Sequence, residues 1–269
     1  MAETTTEKPA TTASQDQTAE TRPGWRESVE SLLVTIILAL FATCFVVQAF
    51  KIPSPSMEPT LLVGDHLLVN KFIFEGNGAW YDRFLPYRAI RHGDVIVFKF
   101  PFQDHPHYVK RVIGLPGDKV KIINSVVYVN GQALKEPYAV HDAAAYDPFA
   151  ENFPPTNQDY LDAAVLPQWR QELPHYVDAA GEIVVPPGHY FVMGDNRDHS
   201  WDSRYWGFVP RDAIMGRPVV IYWSLKEPDE TTDDVAPPPS SRNWMFSVID
   251  TLLRLPVETR WDRMMREVH

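Results

Sequence analysis

Nineteen consecutive uncharged positions, Leu32 to Phe50 (LLVTIILALFATCFVVQAF), divide the chain into two unlike parts. Wound as one helix at 1.5 Å per residue, the run would reach roughly 28 Å, about one hydrocarbon core. A helix buried in a soluble core keeps a polar face over such a length, and this run has none. A cleaved secretory leader is the sharper rival, because Val47-Gln48-Ala49 offers modest residues where such a cut falls. Leader cores, however, run only ~7–15 residues and follow a short basic region. The pattern predicts an uncleaved transmembrane anchor over 25–50, with Trp25 at its interface. Met1 to Gly24, rich in Thr, Glu, Ala and Gln, predicts a disordered tail. Arg22 and Arg26 on one side and Lys51 and Lys71 on the other leave the orientation undecided by charge.

Beyond the apolar run the period changes. HLLVNKF, DVIVFKF, YVKRVIG, KVKII, VVYV, HYFVM and PVVIYW are short β-type runs bounded by Gly, Pro, Asn or Asp. Asn130-Gly131 after VVYV signals a tight hairpin, since both residues tolerate positive φ. No helix-period segments alternate with these runs, which disfavours a parallel α/β sheet. The expectation is a mainly β protein: an irregular antiparallel domain over 51–269 behind one N-terminal transmembrane helix. Lys135 to Glu182 carries little strand pattern and is expected to be a surface insertion, with a short helix around Tyr160 to Trp169. An acidic, proline-rich loop is expected over 227–242. Over 243–256, Met245, Val248, Ile249, Leu252 and Leu253 fall on one helical face, giving an amphipathic segment that suits either a bilayer surface or the β domain.

Composition narrows the function. The net charge of −10 and the lack of a basic cluster speak against a nucleic-acid partner. The single cysteine, Cys44, excludes an intrachain disulfide and paired-Cys zinc sites, and no HExxH is present. No metal or other cofactor is expected.

The stretch KIPSPSMEPTL, Lys51 to Leu61, follows the apolar run directly. Pro53, Pro55 and Pro59 stiffen Ser54 to Glu58, because proline fixes its own φ and extends the residue before it. A stiff serine suits a hydroxyl that must attack from one position, although such turns are more often only turns. A serine nucleophile needs a base. His105, His107 and His199 lie in no Gly-x-Ser-x-Gly context. Lysine is the alternative, provided burial keeps its amine neutral. In HYVKRVIGLPGD, strand alternation puts Lys110 on the face of Val112 and Arg111 on the other. An apolar face is an unusual place for a lysine.

PSPSMEPTL, GDHLLVNKF, YVKRVIGLPGD and GDNRDHSWDSRYWGFVP occur in this order, directly after the apolar run. Together they resemble the boxes of the bacterial type I signal peptidase (leader peptidase) family, and the final RWDRMMREVH resembles that family's C-terminal end. The resemblance implies a serine endopeptidase with Ser56 as nucleophile and Lys110 as general base. It implies that Ser54 helps the Ser56 N–H form an oxyanion hole, that Ser200 orients the lysine, and that Asp202 and Arg204 brace the site. By motif position, Phe50, Ile52, Pro53, Met57, Leu61, Leu67, Val97, Tyr108 and Val109 would line shallow pockets for small residues one and three places before the cut. The implied partners are membrane-inserted precursors bearing signal peptides, the lipid bilayer and, in principle, the secretion machinery. The implied location is the cytoplasmic membrane, with Met1 in the cytoplasm and the β domain outside. A self-cleaving regulator would normally add a DNA-binding module, which is lacking here. A non-enzymatic anchored domain that binds an envelope partner has no need of Ser56 and Lys110 together.

Overall fold

The computed structural model describes residues 25–41, 47–74, 87–100, 107–145, 147–155, 164–226 and 257–269. The expected tail over 1–24, the acidic loop over 227–242 and the amphipathic segment over 243–256 lie outside them. The chain divides into two units, Met1–Phe41 and Ala42–His269.

In the first unit, Trp25–Phe41 form helix α1. From Trp25 to Leu38 its large apolar side chains are exposed, Leu32, Ile37 and Leu38 among them. The apolar run is not one helix. Val47–Lys51 form a strand, β1, so the expected anchor range 25–50 is divided between helix and sheet. The cause is pairing: Val47 to Lys51 match Asn70 to His66 of the next strand in antiparallel register. Among the described residues, no helix is long and apolar enough to cross a membrane.

The second unit is antiparallel β throughout its ladders. After β1 come β2 (Asp65–Asn70), β3 (Val95–Lys99), β4 (His107–Gly114), β5 (Lys119–Ile123), β6 (Val126–Val129) and β7 (Gln132–Ala133). Two helices follow, α2 (Pro148–Glu151) and α3 (Pro167–Tyr176), then β8 (Ile183–Val184), β9 (His189–Met193), α4 (Ser203–Trp206), β10 (Val209–Pro210), β11 (Ile214–Ser224) and β12 (Arg266–Glu267). The large sheet runs β1-β2-β11-β3-β4-β9-β10, with β12 against β11, and a smaller sheet runs β7-β6-β5-β8. All seven runs marked out by the sequence are strands. The Asn130-Gly131 hairpin is there too, with φ of 52° and 76°.

Strand β11 bridges the large sheet. Its register slips between Ile214 and Gly216 on the β3 side, and between Pro218 and Val220 on the β2 side. Gly216 permits this, because a Cβ there would lie 2.3 Å from the Asn70 carbonyl oxygen. Two apolar clusters result. The larger fills the space between the two sheets and the helices. The smaller gathers Ile52, Met57, Leu61, Leu67, Val69, Val95, Val97, Ile221 and Val268, with Phe50 and Val109 packed against it.

The stretch 135–182 is not a surface excursion. Phe149, Phe153, Val165, Trp169 and Leu173 are buried in the larger cluster. Its helix also lies later than expected, at Pro167–Tyr176. Isolated aromatic anchors between polar, proline-rich spacers bury a segment without producing a period, so the pattern gave no sign of the burial.

Candidate active site

Ser56 lies in a single turn of 3₁₀ helix, Pro55–Met57, that enters from the extended Ser54 and leaves through the extended Glu58. The turn is held from both ends. The Glu58 N–H donates to the Pro55 carbonyl at 3.0 Å and the Leu61 N–H to the Met57 carbonyl at 2.9 Å. The loop after β9 grips it from outside: the Asn196 N–H donates to the Ser56 carbonyl at 3.2 Å and Asn196 Nδ2 to the Pro55 carbonyl at 3.2 Å. Gly194 makes this approach possible. A Cβ at that position would lie 2.4 Å from the Ser56 carbonyl oxygen and 2.3 Å from Ser200 Oγ. Gly194→Ala is therefore expected to displace the Ser56 turn and lower kcat/KM about a hundredfold, the scale of a 1 Å misplacement at a reacting centre. Steady-state kinetics beside a melting curve tests this, and a wild-type rate would contradict it.

Lys110 comes from the middle of β4, opposite Ile96 of β3. Val112 and Tyr108, two positions to either side, pack in the larger apolar cluster, so Lys110 lies on the apolar face that alternation predicts. It is only 2% exposed, and its Nζ donates to Ser56 Oγ at 2.5 Å. Burial pushes its pKa down from 10.5 to about 8, and Arg204 pushes the same way, while Asp202 and Asp195 pull it back up. The amine is thus held near the protonation state a base requires.

The other expected residues fall into three groups. Ser54 Oγ lies 3.4 Å from Ser56 Oγ. Asp202 and Arg204 form a buried pair: Arg204 Nε donates to Asp202 Oδ1 and Nη2 to Oδ2, both at 2.9 Å. Asp202 also caps α4 and accepts the Gly194 N–H at 3.1 Å, which ties the pair to the loop under Ser56. Ser200 is buried, and among the described residues its Oγ has no hydrogen-bond partner, Lys110 included.

A cleft of about 280 Å³ runs up to Ser56, and Phe50, Ile52, Pro53, Met57, Tyr108 and Val109 line it as the motif positions suggest. Leu61, Leu67 and Val97 do not. They are fully buried in the cluster beneath it. Motif order gives the face of a strand but not its depth. Lys51 and His107 line the cleft as well and were not among the expected residues. Alternation with Val109 was the available sign for His107.

Two further ion pairs hold the loop that carries Gly194, and no sequence motif pointed to them. Arg111 Nε and Nη2 each donate to Asp195 at 2.7 Å, and the Tyr138 ring covers the guanidinium at 3.9 Å. Arg197 Nη1 donates to Glu136 Oε2 at 2.9 Å, and its Nε to the Gly194 carbonyl at 3.1 Å. The partners are 84 and 61 residues apart, so only the tertiary fold could pair them.

Comparison with known proteins gives the class first: the chain is a serine endopeptidase. Residues 25–223 match the family model described as signal peptidase, peptidase S26. The signal peptidase I of Aquifex aeolicus is 35% identical over 255 residues, an alignment covering 84% of this chain and 94% of that protein. The signal peptidase I of Pseudomonas fluorescens is 36% identical over 218 residues, covering 74% of this chain and 72% of its own. A crystal structure of a signal peptidase I from Enterococcus faecalis is 30% identical, covers 48% of this chain and 97% of its own, and has a TM-score of 0.34. The chain belongs to the signal peptidase family, peptidase S26.

Proposed function

We propose that this chain is a signal peptidase I: a membrane-anchored endopeptidase that removes N-terminal signal peptides from exported precursors, cutting after a small-x-small (Ala-x-Ala) site. The observation that carries this is the 2.5 Å contact between Lys110 Nζ and Ser56 Oγ, made where Lys110 is 2% exposed. A neutral Nζ takes the proton of Ser56 as Oγ bonds to the scissile carbonyl carbon. The resulting ammonium returns that proton to the leaving amine, and the C–N bond breaks. Water, deprotonated by the same amine, then hydrolyses the acyl-Ser56 ester. The Ser54 hydroxyl and the Ser56 N–H supply the oxyanion donors, each worth about 3–4 kcal/mol by analogy with other serine proteases. Ser200 Oγ, without a hydrogen-bond partner among the described residues, orients the lysine once it is charged.

Substrate binding follows from two strand edges. β1 ends the large sheet, and its outer edge has no partner among the described strands. β4 is paired to β9 only from Arg111 onward, so among the described strands the edge from His107 to Lys110 has no partner on that side. The cleft is lined by residues from both edges, and an extended precursor segment can complete the sheet there. The shallow floor of Phe50, Ile52 and Met57 admits small side chains and rejects large ones by clash.

The exposed apolar surface of α1 supports its role as membrane anchor. A chain anchored in this way meets membrane-inserted precursors, whose cut sites lie close to the bilayer. On this reading Met1 faces the cytoplasm and the β domain lies outside, in reach of the secretion machinery.

Protein purified in detergent, incubated with a precursor bearing Ala-x-Ala, is expected to release the mature chain, and Ser56→Ala to be slower by at least about a thousandfold. Wild-type cleavage by Ser56→Ala would overturn the assignment.

A further inference from the structure

Thr60 stands four residues after Ser56 in the KIPSPSMEPTL stretch, and nothing in the Ser–Lys chemistry uses it. Its hydroxyl donates to Asp195 Oδ2 at 2.5 Å. Asp195 is fully buried, and the same carboxylate accepts Arg111 Nε on Oδ1 and Arg111 Nη2 on Oδ2. Three segments therefore meet on one side chain. Thr60 belongs to the segment of the nucleophile. Arg111 is the neighbour of Lys110 on β4. Asp195 lies in the loop after β9, which grips the Ser56 turn through Asn196. The chain from Ser56 to Thr60 has little slack: the Leu61 N–H bonds back to the Met57 carbonyl at 2.9 Å, and the Leu61 side chain is fully buried. A shift of Thr60 is thus passed on to Ser56. Thr60 does not line the substrate cleft. With Arg111 and Tyr138 it lines a second hollow, of about 600 Å³.

Resting on the function proposed above, we infer that Thr60 is a positioning residue of the catalytic pair: through Asp195 its hydroxyl locks the segment of the nucleophile to the strand of the base, and so sets the approach of Ser56 Oγ to Lys110 Nζ. A hydroxyl bonded to a carboxylate makes a short, strong link. The far end of the link is itself fixed, because Arg111 Nη1 donates to the Gly93 carbonyl at 2.7 Å and the Tyr138 ring covers the guanidinium. Proton transfer and attack both need the serine oxygen close to its productive place. Substrate binding needs it less, since Phe50, Ile52, Pro53, Tyr108 and Val109 line the cleft from outside the tied turn. Loss of the link is therefore felt in the chemical step.

Thr60→Val keeps the shape of the side chain and removes its donor, whereas Thr60→Ser keeps the donor. Both are compared with wild type on a precursor bearing Ala-x-Ala, about one pH unit above the Lys110 pKa of about 8, so that the base is neutral throughout. Assays run well below the melting temperature of each variant, so loss of folded protein does not enter. Thr60→Val is expected to lower kcat about tenfold and to leave KM within about twofold, less than the effect of a full 1 Å misplacement because Asn196 still holds the turn. Thr60→Ser is expected to restore most of that kcat. Thr60→Ala carries the same expectation as Thr60→Val and stands in where the valine variant does not fold. A wild-type kcat without the hydroxyl, a loss that falls on KM, or a loss that Thr60→Ser shares would overturn the inference while leaving the endopeptidase intact. Failure of the wild type to cleave the precursor at all would overturn the proposed function and this inference with it.

Discussion

Lys110→Met is expected to abolish cleavage and, at the same time, to make the protein more stable. The thioether cannot accept the Ser56 proton, so kcat/KM should fall by three orders of magnitude or more, the scale seen when one member of a catalytic unit is removed. Methionine fills nearly the same volume on the β4 face, so the apolar cluster is kept. The stability gain comes from the depressed pKa. Folding moves the amine from 10.5 to about 8, so below pH 8 the folded protein holds a charged lysine that burial disfavours. At about 1.4 kcal/mol per unit, that is a penalty of roughly 3 kcal/mol, which the uncharged thioether would not carry. Between pH 8 and 10.5 the unfolded chain binds the extra proton, so the wild type gains stability as pH rises while the variant does not. The same titration shapes the rate. Wild-type kcat/KM should fall tenfold per unit as pH drops below about 8 and level off above it. Chemical denaturation at pH 7 and pH 10, beside a pH–rate profile, reads all of this. A variant less stable than wild type at pH 7, or a rate flat down to pH 5, would contradict a buried neutral base.

Breaking the pair beneath the site should be the costliest change to the fold. Asp202→Ala leaves Arg204 charged and buried, and strands the Gly194 N–H that Asp202 accepts. Removing one partner of a buried pair costs about 3–5 kcal/mol, and the double variant Asp202→Leu/Arg204→Met should recover much of it. Burial alone would raise the Asp202 pKa, but the charge and hydrogen bonds of Arg204 outweigh it and hold the carboxyl below its usual 3.8. The stabilisation is therefore present at neutral pH and lost on acidification, as the carboxylate takes up a proton. Equilibrium unfolding of wild type, single and double variants measures it. A double variant no better than the single would show that the contacts to Gly194 and the α4 cap, not the charge, carry the effect.

The legible parts of this protein are those with a local cause. The seven strands announce themselves by short β-branched runs between turn residues, and Asn130-Gly131 marks its hairpin through positive φ. Lys110 on the face of Val112 follows from alternation alone, but its meeting with Ser56, 54 positions away, was legible only through the family boxes. What alternation could not supply was depth and partnership. Leu61, Leu67 and Val97 are buried because Ile221 and Val268, far along the chain, pack with them in the smaller apolar cluster. Arg111 with Asp195, and Arg197 with Glu136, look like ordinary surface charges until the fold brings their partners in. The turn Asn124-Ser125, left-handed at 48° and 66°, carries no glycine and so gave no sign.

The way β9 takes over the edge of β4 at Arg111 has a consequence for product release. In the docking mode proposed above, only the segment upstream of the cut zips onto the sheet, and the residues downstream find that track already filled. The severed mature protein therefore has no main-chain ladder to peel away from and can diffuse off at once. The short leader fragment stays clipped between two strands, so turnover at high substrate should be paced by its escape.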